Sequence, residues 1–340
     1  MPEITVLMPV HNGGQYLKQA LDSLFNQTFK DFELLVVDDA STDDSKNIVV
    51  SYKDVRLRMI ENVSNIGIAQ SLNRGVADAK GRYIVRMDAD DVCFPQRLQR
   101  LLDFMRLHPE VAVAGSWAKL TGKYSEIERR PIGSGCVKAS LCLYNPLIHP
   151  SVIIRKDVLT NYGIKYDRHF SRSEDYDLWS RLSEVAAIDN IAEVLLNYRV
   201  HGNSITAAAS NVMEDQSMDI MRRELHKIGI TPSKEELRFH RNVCHGDRLW
   251  TREEVIRAEE WFGKLIAADT RMCFHKTDAM RQAVAFVWFR LCRNSANLGP
   301  WVWKKFRTSA LSRAYKVSAS EMSRLIVGIV VNMIRKPTHT

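Results

Sequence analysis

Residues 36–44 read "VVDDASTDD", in which an apolar run ends in two aspartates and two more follow within five positions. The run belongs to the longer segment "FELLVVDD" (residues 32–39), whose aliphatic residues predict a buried strand. Charged side chains are rarely buried without a partner, so these aspartates are expected either to serve a turn or to face a binding site. The elements on either side decide between the two.

Strands and helices alternate through the first hundred residues. Four strands are predicted, at residues 4–10, 32–39, 56–61 and 82–88. Four helices are predicted between and after them. The first covers residues 16–27, the second begins at residue 43 after a cap at Ser41 or Thr42, and the third covers residues 68–79. The fourth follows the fourth strand and has Pro95 in its first turn. Strands separated by helices of this length indicate βαβ units, and therefore an α/β fold with a mostly parallel sheet flanked by helices.

In an open α/β sheet, ligands bind outside the carboxyl ends of the strands. Asp38 and Asp39 end the second strand, and the cluster 88–91 with its three aspartates ends the fourth. Two strand ends therefore bring carboxylates to one edge, which favours a site there. Asp43 and Asp44 are better explained as the acidic start of a helix.

The spacing "DAD" at residues 88–90 has a chemical consequence. Alternate residues of an extended segment point to the same side, so Asp88 and Asp90 can bind one cation together. Oxygen ligands suit Mg²⁺ or Mn²⁺, which share their coordination shell with substrate phosphates.

The composition is that of an ordinary globular enzyme of one or two domains. The 340 residues are 45% hydrophobic and 26% charged. Six cysteines form no CxxC pair, which favours reduced thiols over disulfides or a zinc site. No signal peptide is expected, and the longest uncharged apolar run, residues 325–334, is too short to span a bilayer.

Three segments carry a resemblance to a known family. They are "TVLMPVHNGGQYLKQALDSLFNQTFKDFELLVVDDASTDDS", "NIGIAQSLNRGVADAKGRYIVRMDADDVCFPQRL" and "SEDYDLW". In this order they resemble family 2 glycosyltransferases of the GT-A fold, as found in bacterial polysaccharide and lipopolysaccharide synthesis. The resemblance covers residues 3–205 and implies a Rossmann-like transferase domain over 1–205, with a nucleotide-sugar half (1–100) and an acceptor half (101–205).

The resemblance also implies which residues bind the donor and the metal. The first strand end, the aspartate after the second strand, the nucleotide loop and the DxD segment supply the donor site: Pro9, Val10, His11, Asp39, Asn65, Gly67, Asp88 and Ala89. Asp88 and Asp90 would hold the metal, and His201 in the segment "YRVH" would approach the metal or the diphosphate. Arg199 of that segment would touch phosphate, or would simply support the loop.

The segment "SEDYDLWSRL" offers a base for the reaction. It predicts a helix with Leu178, Leu182 and Val185 facing inward. Ser171 and Glu174 fit a capping box, and acids in a first turn are favoured by the helix dipole alone. The family's "ED" motif instead implies that Asp175 deprotonates the acceptor hydroxyl, with Asp177 as the second choice.

Other polar residues in this half are expected to be structural. His149 precedes an apolar strand, where a core or turn role is favoured over catalysis. Arg129 and Arg130 are interpreted as surface charge rather than phosphate ligands.

The remaining residues, 206–340, predict a helical C-terminal region. Ser233 with Glu236, and Thr251 with Glu254, fit capping boxes. Residues 281–340 contain eleven lysines and arginines and one acid. The helical stripe that ends the chain comprises Met322, Leu325, Ile326, Ile329, Val330 and Met333. Trp301 and Trp303 beside basic residues suit a headgroup boundary, so the region is predicted either to associate with an anionic membrane surface or to pack on the core or a second copy.

These observations predict a metal-dependent, inverting glycosyltransferase of hexosyltransferase type. The expected donor is a nucleotide sugar, with a UDP-sugar as the first choice. The expected acceptor is a hydroxyl group of a saccharide or lipid-linked saccharide in surface polysaccharide synthesis. Mn²⁺ or Mg²⁺ is the expected cofactor, and no nucleic acid is expected as a partner. The expected location is the cytoplasm, with the inner face of the cytoplasmic membrane and a homo-oligomer as open alternatives. A nucleotidyltransferase of similar fold would need a basic residue in "PVHNGG", and an inactive transferase-like binding protein would not need these acids.

Overall fold

The computed structural model describes residues 1–123, 125–200, 211–245, 249–275, 278–315 and 317–335. They divide into two compact units. The first comprises Met1–Ser134 and Asn145–Ser217, and the second comprises Gly135–Tyr144 and Met218–Thr340. The second unit thus begins beyond the boundary expected at residue 205, and it takes in a short segment from within the first.

The first unit is built on one mixed sheet of nine strands in the described residues. Their bounds are β1 Ile4–Val10, β2 Phe32–Asp38, β3 Leu57–Glu61, β4 Tyr83–Arg86, β5 Val92–Cys93, β6 Val111–Gly122, β7 Ile127–Glu128, β8 Ile153–Arg155 and β9 Ala187–Val200. The order across the sheet is β3-β2-β1-β4-β8-β6-β9-β5, with β7 paired to β6.

Helices cover the sheet and make up most of the second unit. In the first unit and its junctions they are α1 Gly14–Phe25, α2 Ser45–Ser51, α3 Ile68–Asp78, α4 Arg97–Leu107, α5 Ser134–Ser140, α6 Lys156–Asn161, α7 Glu174–Leu182 and α8 Asn211–Lys227. In the second unit they are α9 Lys234–His245, α10 Arg252–Met272, α11 Ala279–Asn294, α12 Pro300–Thr308 and α13 Ala319–Arg335.

The four predicted strands are confirmed, and β1 to β4 pair in parallel. Their apolar runs are buried on both faces, because helices cover both sides of a parallel sheet. In the register, Val10 lies beside Asp38 and Asp38 beside Glu61, so the strands end together. Beyond β4 the sheet is mixed, since β8 runs antiparallel to both β4 and β6.

The predicted starts of two helices, α2 and α4, are wrong. Helix α2 begins at Ser45, because the Ser41 hydroxyl accepts a hydrogen bond from the Asn12 amide (3.0 Å) instead of capping a helix. The Thr42 amide in turn donates to the Asn12 side chain (2.8 Å). Pro95 lies in the turn before α4, which begins at Arg97.

The proposed Ser171–Glu174 capping box does not form either. Ser173 precedes α7, and its side chain makes no capping hydrogen bond. Leu178 and Leu182 are buried as predicted, but α7 ends at Leu182 and leaves Val185 exposed.

The second unit is helical, as predicted. Both capping boxes are present, with Ser233 and Glu236 exchanging hydrogen bonds ahead of α9 and Thr251 and Glu254 ahead of α10. No helix in the described part of the chain is both long enough and apolar enough to cross a membrane.

The apolar stripe predicted for α13 is only partly buried. Leu325 and Ile329 are buried and Met322 is half-buried, whereas Ile326 and Val330 are exposed. The Met333 side chain lies outside the described residues.

Candidate active site

Three carboxylates meet in the segment that follows β4. One oxygen from each of Asp88, Asp90 and Asp91 lies within 4.8 Å of the others. Asp91 is 1% exposed, and its Oδ1 accepts a hydrogen bond from the Arg199 amide (2.8 Å). Its buried Oδ2 has no hydrogen-bond partner in the described residues, and a buried oxygen left in that state is costly. Three carboxylate oxygens close together, with the Asp91 Oδ2 atom not satisfied by a hydrogen bond in the described residues, fit a divalent cation such as Mg²⁺ or Mn²⁺.

The electrostatics of the cluster point in the same direction. Burial, together with the charges of Asp88 and Asp90, raises the pKa of Asp91 well above its usual range. Burial also raises the pKa of Asp88, although its ion pair with the buried Arg86 opposes the shift. A bound cation would reverse these directions, because an adjacent positive charge favours ionised carboxylates.

Arg199 braces this acidic segment from the end of β9. Its Nε donates to the Asp90 carbonyl (2.9 Å), its Nη2 donates to Gln19 Oε1 (2.8 Å), and its guanidinium lies 4.4 Å from the Tyr16 ring centroid. These contacts position the acidic segment, and the contact of Arg199 with phosphate stays a prediction. His201 lies outside the described residues.

Asp39 holds the loop that follows β3. It is 4% exposed, and its carboxylate accepts hydrogen bonds from the Asn62 side chain (2.7 Å), the Ile66 amide (2.9 Å) and the Gly67 amide (2.9 Å). A carboxylate offers about four lone-pair sites, so one acceptor position on Asp39 is still open to a ligand. Its contact with a nucleotide base stays a prediction.

The other predicted donor residues surround Asp39 and the acidic segment. His11 is exposed, and its Nδ1 lies 2.8 Å from the Asp39 carbonyl oxygen. The exposed Asn65 accepts a hydrogen bond from the Gly67 amide (3.1 Å). Gly67 has a φ of 83°, a conformation that glycine adopts without strain. Pro9 and Val10 end β1, where their backbone pairs with β2, and Ala89 lies between two of the acidic ligands.

Asp175 stands at the head of α7. Its Oδ2 accepts a hydrogen bond from Asn145 Nδ2 (2.7 Å), and its Oδ1 accepts one from the Tyr176 amide (2.7 Å). Burial raises the pKa of Asp175, while these two bonds and the charge of Arg86 lower it. Asp177 differs, because it is 1% exposed and bound by both Nε (2.9 Å) and Nη2 (2.6 Å) of Arg181. Asp175 is half-buried, so it is the less enclosed of the two carboxylates, and its role as the base stays a prediction.

A buried network lies behind Asp175. Burial and the charge of Asp175 raise the pKa of Glu174 to about 8. The His149 Nδ1 atom is 3.7 Å from Glu174 Oε1, and its Nε2 is 3.0 Å from the Tyr166 hydroxyl. Burial lowers the pKa of His149 well below its usual range, so the imidazole is neutral. The Asn73 side chain of α3 donates a hydrogen bond to the Tyr166 carbonyl oxygen (2.8 Å) and accepts one from the Tyr166 amide (2.9 Å). These two bonds connect the network to α3.

Comparison with known proteins decides the family. Residues 5–160 match the model of glycosyl transferase family 2. The O-antigen biosynthesis glycosyltransferase WbnJ of Escherichia coli is 34% identical over 237 residues, which cover 67% of this chain and 91% of WbnJ. The chain belongs to glycosyltransferase family 2.

Other relatives of this glycosyltransferase agree in kind. The amylovoran biosynthesis glycosyltransferase AmsE of Erwinia amylovora is 27% identical, over 59% of this chain and 77% of AmsE. The solved structure of S. aureus TarS 1–349 in complex with UDP-GlcNAc covers 98% of this chain and 92% of its own, with a TM-score of 0.56 and 16% identity. That likeness shows the fold, and the mixed sheet flanked by helices is the GT-A α/β fold that the sequence predicts.

Three residues of the glycosyltransferase site were not predicted in these roles. Asp91 was placed in the acidic cluster but not among the metal ligands. Arg86 interrupts the apolar residues Tyr83–Val85 and Met87 near the end of the strand segment "RYIVRMD", and this charge within an apolar run was the available signal. Asn145 carries no local signal, because its partner Asp175 is 30 residues away in the chain.

Proposed function

We propose that this glycosyltransferase moves a sugar from a nucleotide-sugar donor, UDP-linked, to a hydroxyl group of a saccharide or lipid-linked saccharide, with a divalent metal and with inversion. The observation that carries the proposal is that two acidic sites lie within the influence of the same buried side chain, that of Arg86. The charge of Arg86 acts on Asp88 of the carboxylate cluster and on Asp175 of α7.

Each carboxylate has a distinct task in this proposal. Asp88, Asp90 and Asp91 would hold Mn²⁺ or Mg²⁺, which supplies positive charge to the departing nucleoside diphosphate. The ion pair with Arg86 favours the ionised form of Asp88, and Arg199 fixes the backbone of the acidic segment. Asp39 keeps the loop 62–67 in place and offers its remaining acceptor site to a base N–H.

Asp175 would act as the general base. The acceptor O–H bond breaks, its proton moves to the Asp175 carboxylate, and the acceptor oxygen forms a bond to the anomeric carbon. The bond from that carbon to the diphosphate oxygen breaks on the opposite face, and its electron pair leaves with the nucleoside diphosphate. A single displacement of this kind inverts the anomeric centre. The hydrogen bond from Asn145 supports the ionised form that a base requires.

The relatives support the choice of substrates. TarS has been crystallised in complex with UDP and with UDP-GlcNAc. WbnJ and AmsE are described as enzymes of O-antigen and amylovoran biosynthesis. We therefore favour a UDP-sugar donor and a role in surface polysaccharide assembly. The nucleotidyltransferase alternative is set aside by family membership.

A donor-hydrolysis screen tests the proposal. Purified protein is incubated with UDP-, GDP- and dTDP-sugars in Mn²⁺ or in a chelator, and the released nucleoside diphosphate is measured. We expect Mn²⁺-dependent hydrolysis of at least one UDP-sugar, its loss in Asp90→Ala, and its retention in Asp31→Ala, an exposed aspartate before β2. Hydrolysis that survives both the chelator and Asp90→Ala would contradict the metal assignment.

A further inference from the structure

The segment 145–149 holds α7, the helix that begins with the candidate base, at two points. At the first point, Asn145 donates a hydrogen bond to the Asp175 carboxylate (2.7 Å). At the second, the His149 ring packs edge-on against the ring of Trp179, with 5.9 Å between the ring centroids and 78° between the ring planes. Trp179 is fully buried, so this contact anchors α7 one turn beyond Asp175. The position of the base is therefore set from one short segment.

The orientation of the His149 ring is set by Tyr166. The His149 Nε2 atom is 3.0 Å from the Tyr166 hydroxyl oxygen, and the two ring centroids are 5.6 Å apart. The other ring nitrogen, Nδ1, is 3.7 Å from Glu174 Oε1, which is too long for a hydrogen bond. The bond to Tyr166 therefore fixes the rotation of the imidazole, and with it the ring edge and face that meet Trp179.

Tyr166 is in turn fixed to α3 through its backbone. The Asn73 side chain of α3 binds both the Tyr166 carbonyl oxygen (2.8 Å) and the Tyr166 amide (2.9 Å). Helix α3 directly follows Gly67, whose amide donates to the Asp39 carboxylate (2.9 Å). A continuous series of contacts thus leads from Asp39, the residue expected to meet the nucleotide, to the helix that carries the base.

The chemistry of the pair favours a geometric role over a purely packing one. His149 and Tyr166 are 8 and 5% exposed, and polar atoms at such positions are costly unless they bind each other. Two phenylalanines could fill the same space without that cost, whereas a buried hydrogen bond adds little net stability but permits only one arrangement of the rings.

We propose that Tyr166 and His149 are positioning residues, which hold Asp175 in register with the donor-side helix α3. The inference rests on the proposed function, because it takes Asp175 as the base. Proton transfer from the attacking oxygen requires close and well-aligned contact, so a small displacement of α7 lowers the rate even though the base itself is intact.

Tyr166→Phe tests the proposal, because it removes one hydroxyl group and keeps the ring. The rate measured is the release of UDP from the UDP-sugar that the donor screen selects, in Mn²⁺ and with water as the acceptor. We expect kcat to fall by about tenfold. Calorimetry should show unchanged Mn²⁺-dependent affinity for UDP, because Asn73 binds the Tyr166 backbone, which this variant retains. Tyr162→Phe, 59% exposed at the end of α6, is the matched control and should keep the wild-type rate.

A double variant tests whether the two residues act through one bond. His149→Phe should lower kcat about as much as Tyr166→Phe does, and the double variant should be no slower than the slower single variant, because no polar atom is then left without its partner. Circular dichroism should be the same for all of these proteins. Losses that multiply in the double variant would mean independent effects and would overturn the pairing.

The substitution Tyr166→Phe in an Asp175→Asn background separates positioning of the base from general damage. If Tyr166 acts through Asp175, its loss should not slow a protein that already lacks the base. An equal loss in both backgrounds, or a wild-type rate in Tyr166→Phe alone, overturns the proposal. A failure of the proposed function gives a different result: Asp175→Asn alone would then release UDP at the wild-type rate, or no UDP-sugar would be hydrolysed at all, and the inference would be refuted together with the base.

Discussion

Asn145 is the residue whose removal reports most specifically on Asp175. Its side chain donates to Asp175 Oδ2 at 2.7 Å and lowers the pKa of that carboxyl against the effect of burial. Without this donor the pKa of Asp175 rises, so the base is protonated at higher pH. We expect Asn145→Ala to move the acid limb of kcat/KM upward by about one pH unit, the size of one hydrogen bond to a charged group.

The pH profile separates this positioning role from a purely structural one. A general loss of packing would lower kcat/KM equally at every pH, and an unshifted limb would therefore contradict the role assigned to Asn145. Asn161→Ala, at the exposed end of α6, is the matched control and should leave the profile unchanged.

The sequence predicts the acidic residues of the candidate site better than the residues that bind them. Asp39, Asp88 and Asp90 follow strands, so the strand-end rule finds them without any structure. Asn145 could not be found in this way, because a pairing across 30 residues leaves no local spacing pattern.

Helix α3 packs closely on the sheet at Gly75. Gly75 faces β1 and β2, and a Cβ there would lie 2.2 Å from Leu7 Cδ1 and 3.1 Å from Val37 Cγ2. Leu7 is 1% exposed and cannot move freely. We expect Gly75→Ala to destabilise the protein by about 1–3 kcal/mol through overpacking, measured as a lower Tm.

Gly263 of α10 is the matched glycine. A Cβ at this position meets no atom within 4 Å, so Gly263→Ala should raise the free energy of unfolding by about 0.5–1 kcal/mol through helix propensity. Equal Tm shifts of the same sign in the two variants would mean that α3 does not pack on the sheet as described.

The sequence predicts whether a segment forms a strand or a helix better than it predicts the residue at which a helix begins. The apolar runs of β1 to β4 stand out between polar turns, and all four strands are confirmed. The start of α2 was wrong because Ser41 and Thr42 bind Asn12, about thirty residues earlier in the chain. Capping competes with such distant partners, whereas the Ser233 and Thr251 hydroxyls accept hydrogen bonds from the Glu236 and Glu254 amides three residues later, as the local pattern predicts.

His240 of the second unit should make the molecule less stable in acid. His240 is fully buried, with Nε2 2.7 Å from the Cys142 carbonyl and Nδ1 accepting from Trp261 Nε1 (2.9 Å). Burial lowers the pKa of His240 to about 4, so the folded state keeps it neutral while the unfolded chain binds a proton below its usual pKa of about 6.5. Stability is therefore lost as pH falls from about 6.5 to about 4, by about 3 kcal/mol from this residue.

Urea unfolding at pH 7.5 and 4.5 measures this loss. His240→Gln removes the titrating ring and keeps an amide donor for Cys142, so the difference between the two pH values should shrink. Burial also lowers the pKa values of His149 and His275, so these two residues should leave part of the loss in place. An unchanged difference in His240→Gln would contradict the account.

The division into two units was the least predictable feature of the whole molecule. The segment Gly135–Tyr144 belongs to the second unit although the first surrounds it in sequence. Its core residue Leu141 has the same apolar character as residues of the sheet, so composition does not say which core it joins. The α/β class followed from the alternation of strands and helices, whereas the GT-A fold followed from the resemblance of the three segments to family 2 glycosyltransferases.

Transfer by Asp175→Asn, measured alongside donor binding, tests the central claim most directly. The amide keeps the shape of the side chain but cannot accept the acceptor's proton. We predict that the transfer rate falls by a factor of about 10² or more, while calorimetry shows Mn²⁺-dependent UDP affinity close to that of the wild type. The control Asp177→Asn should keep the transfer chemistry, because its carboxylate is bound by Arg181. A transfer rate near wild type in Asp175→Asn would show that another group is the base and would contradict the mechanism.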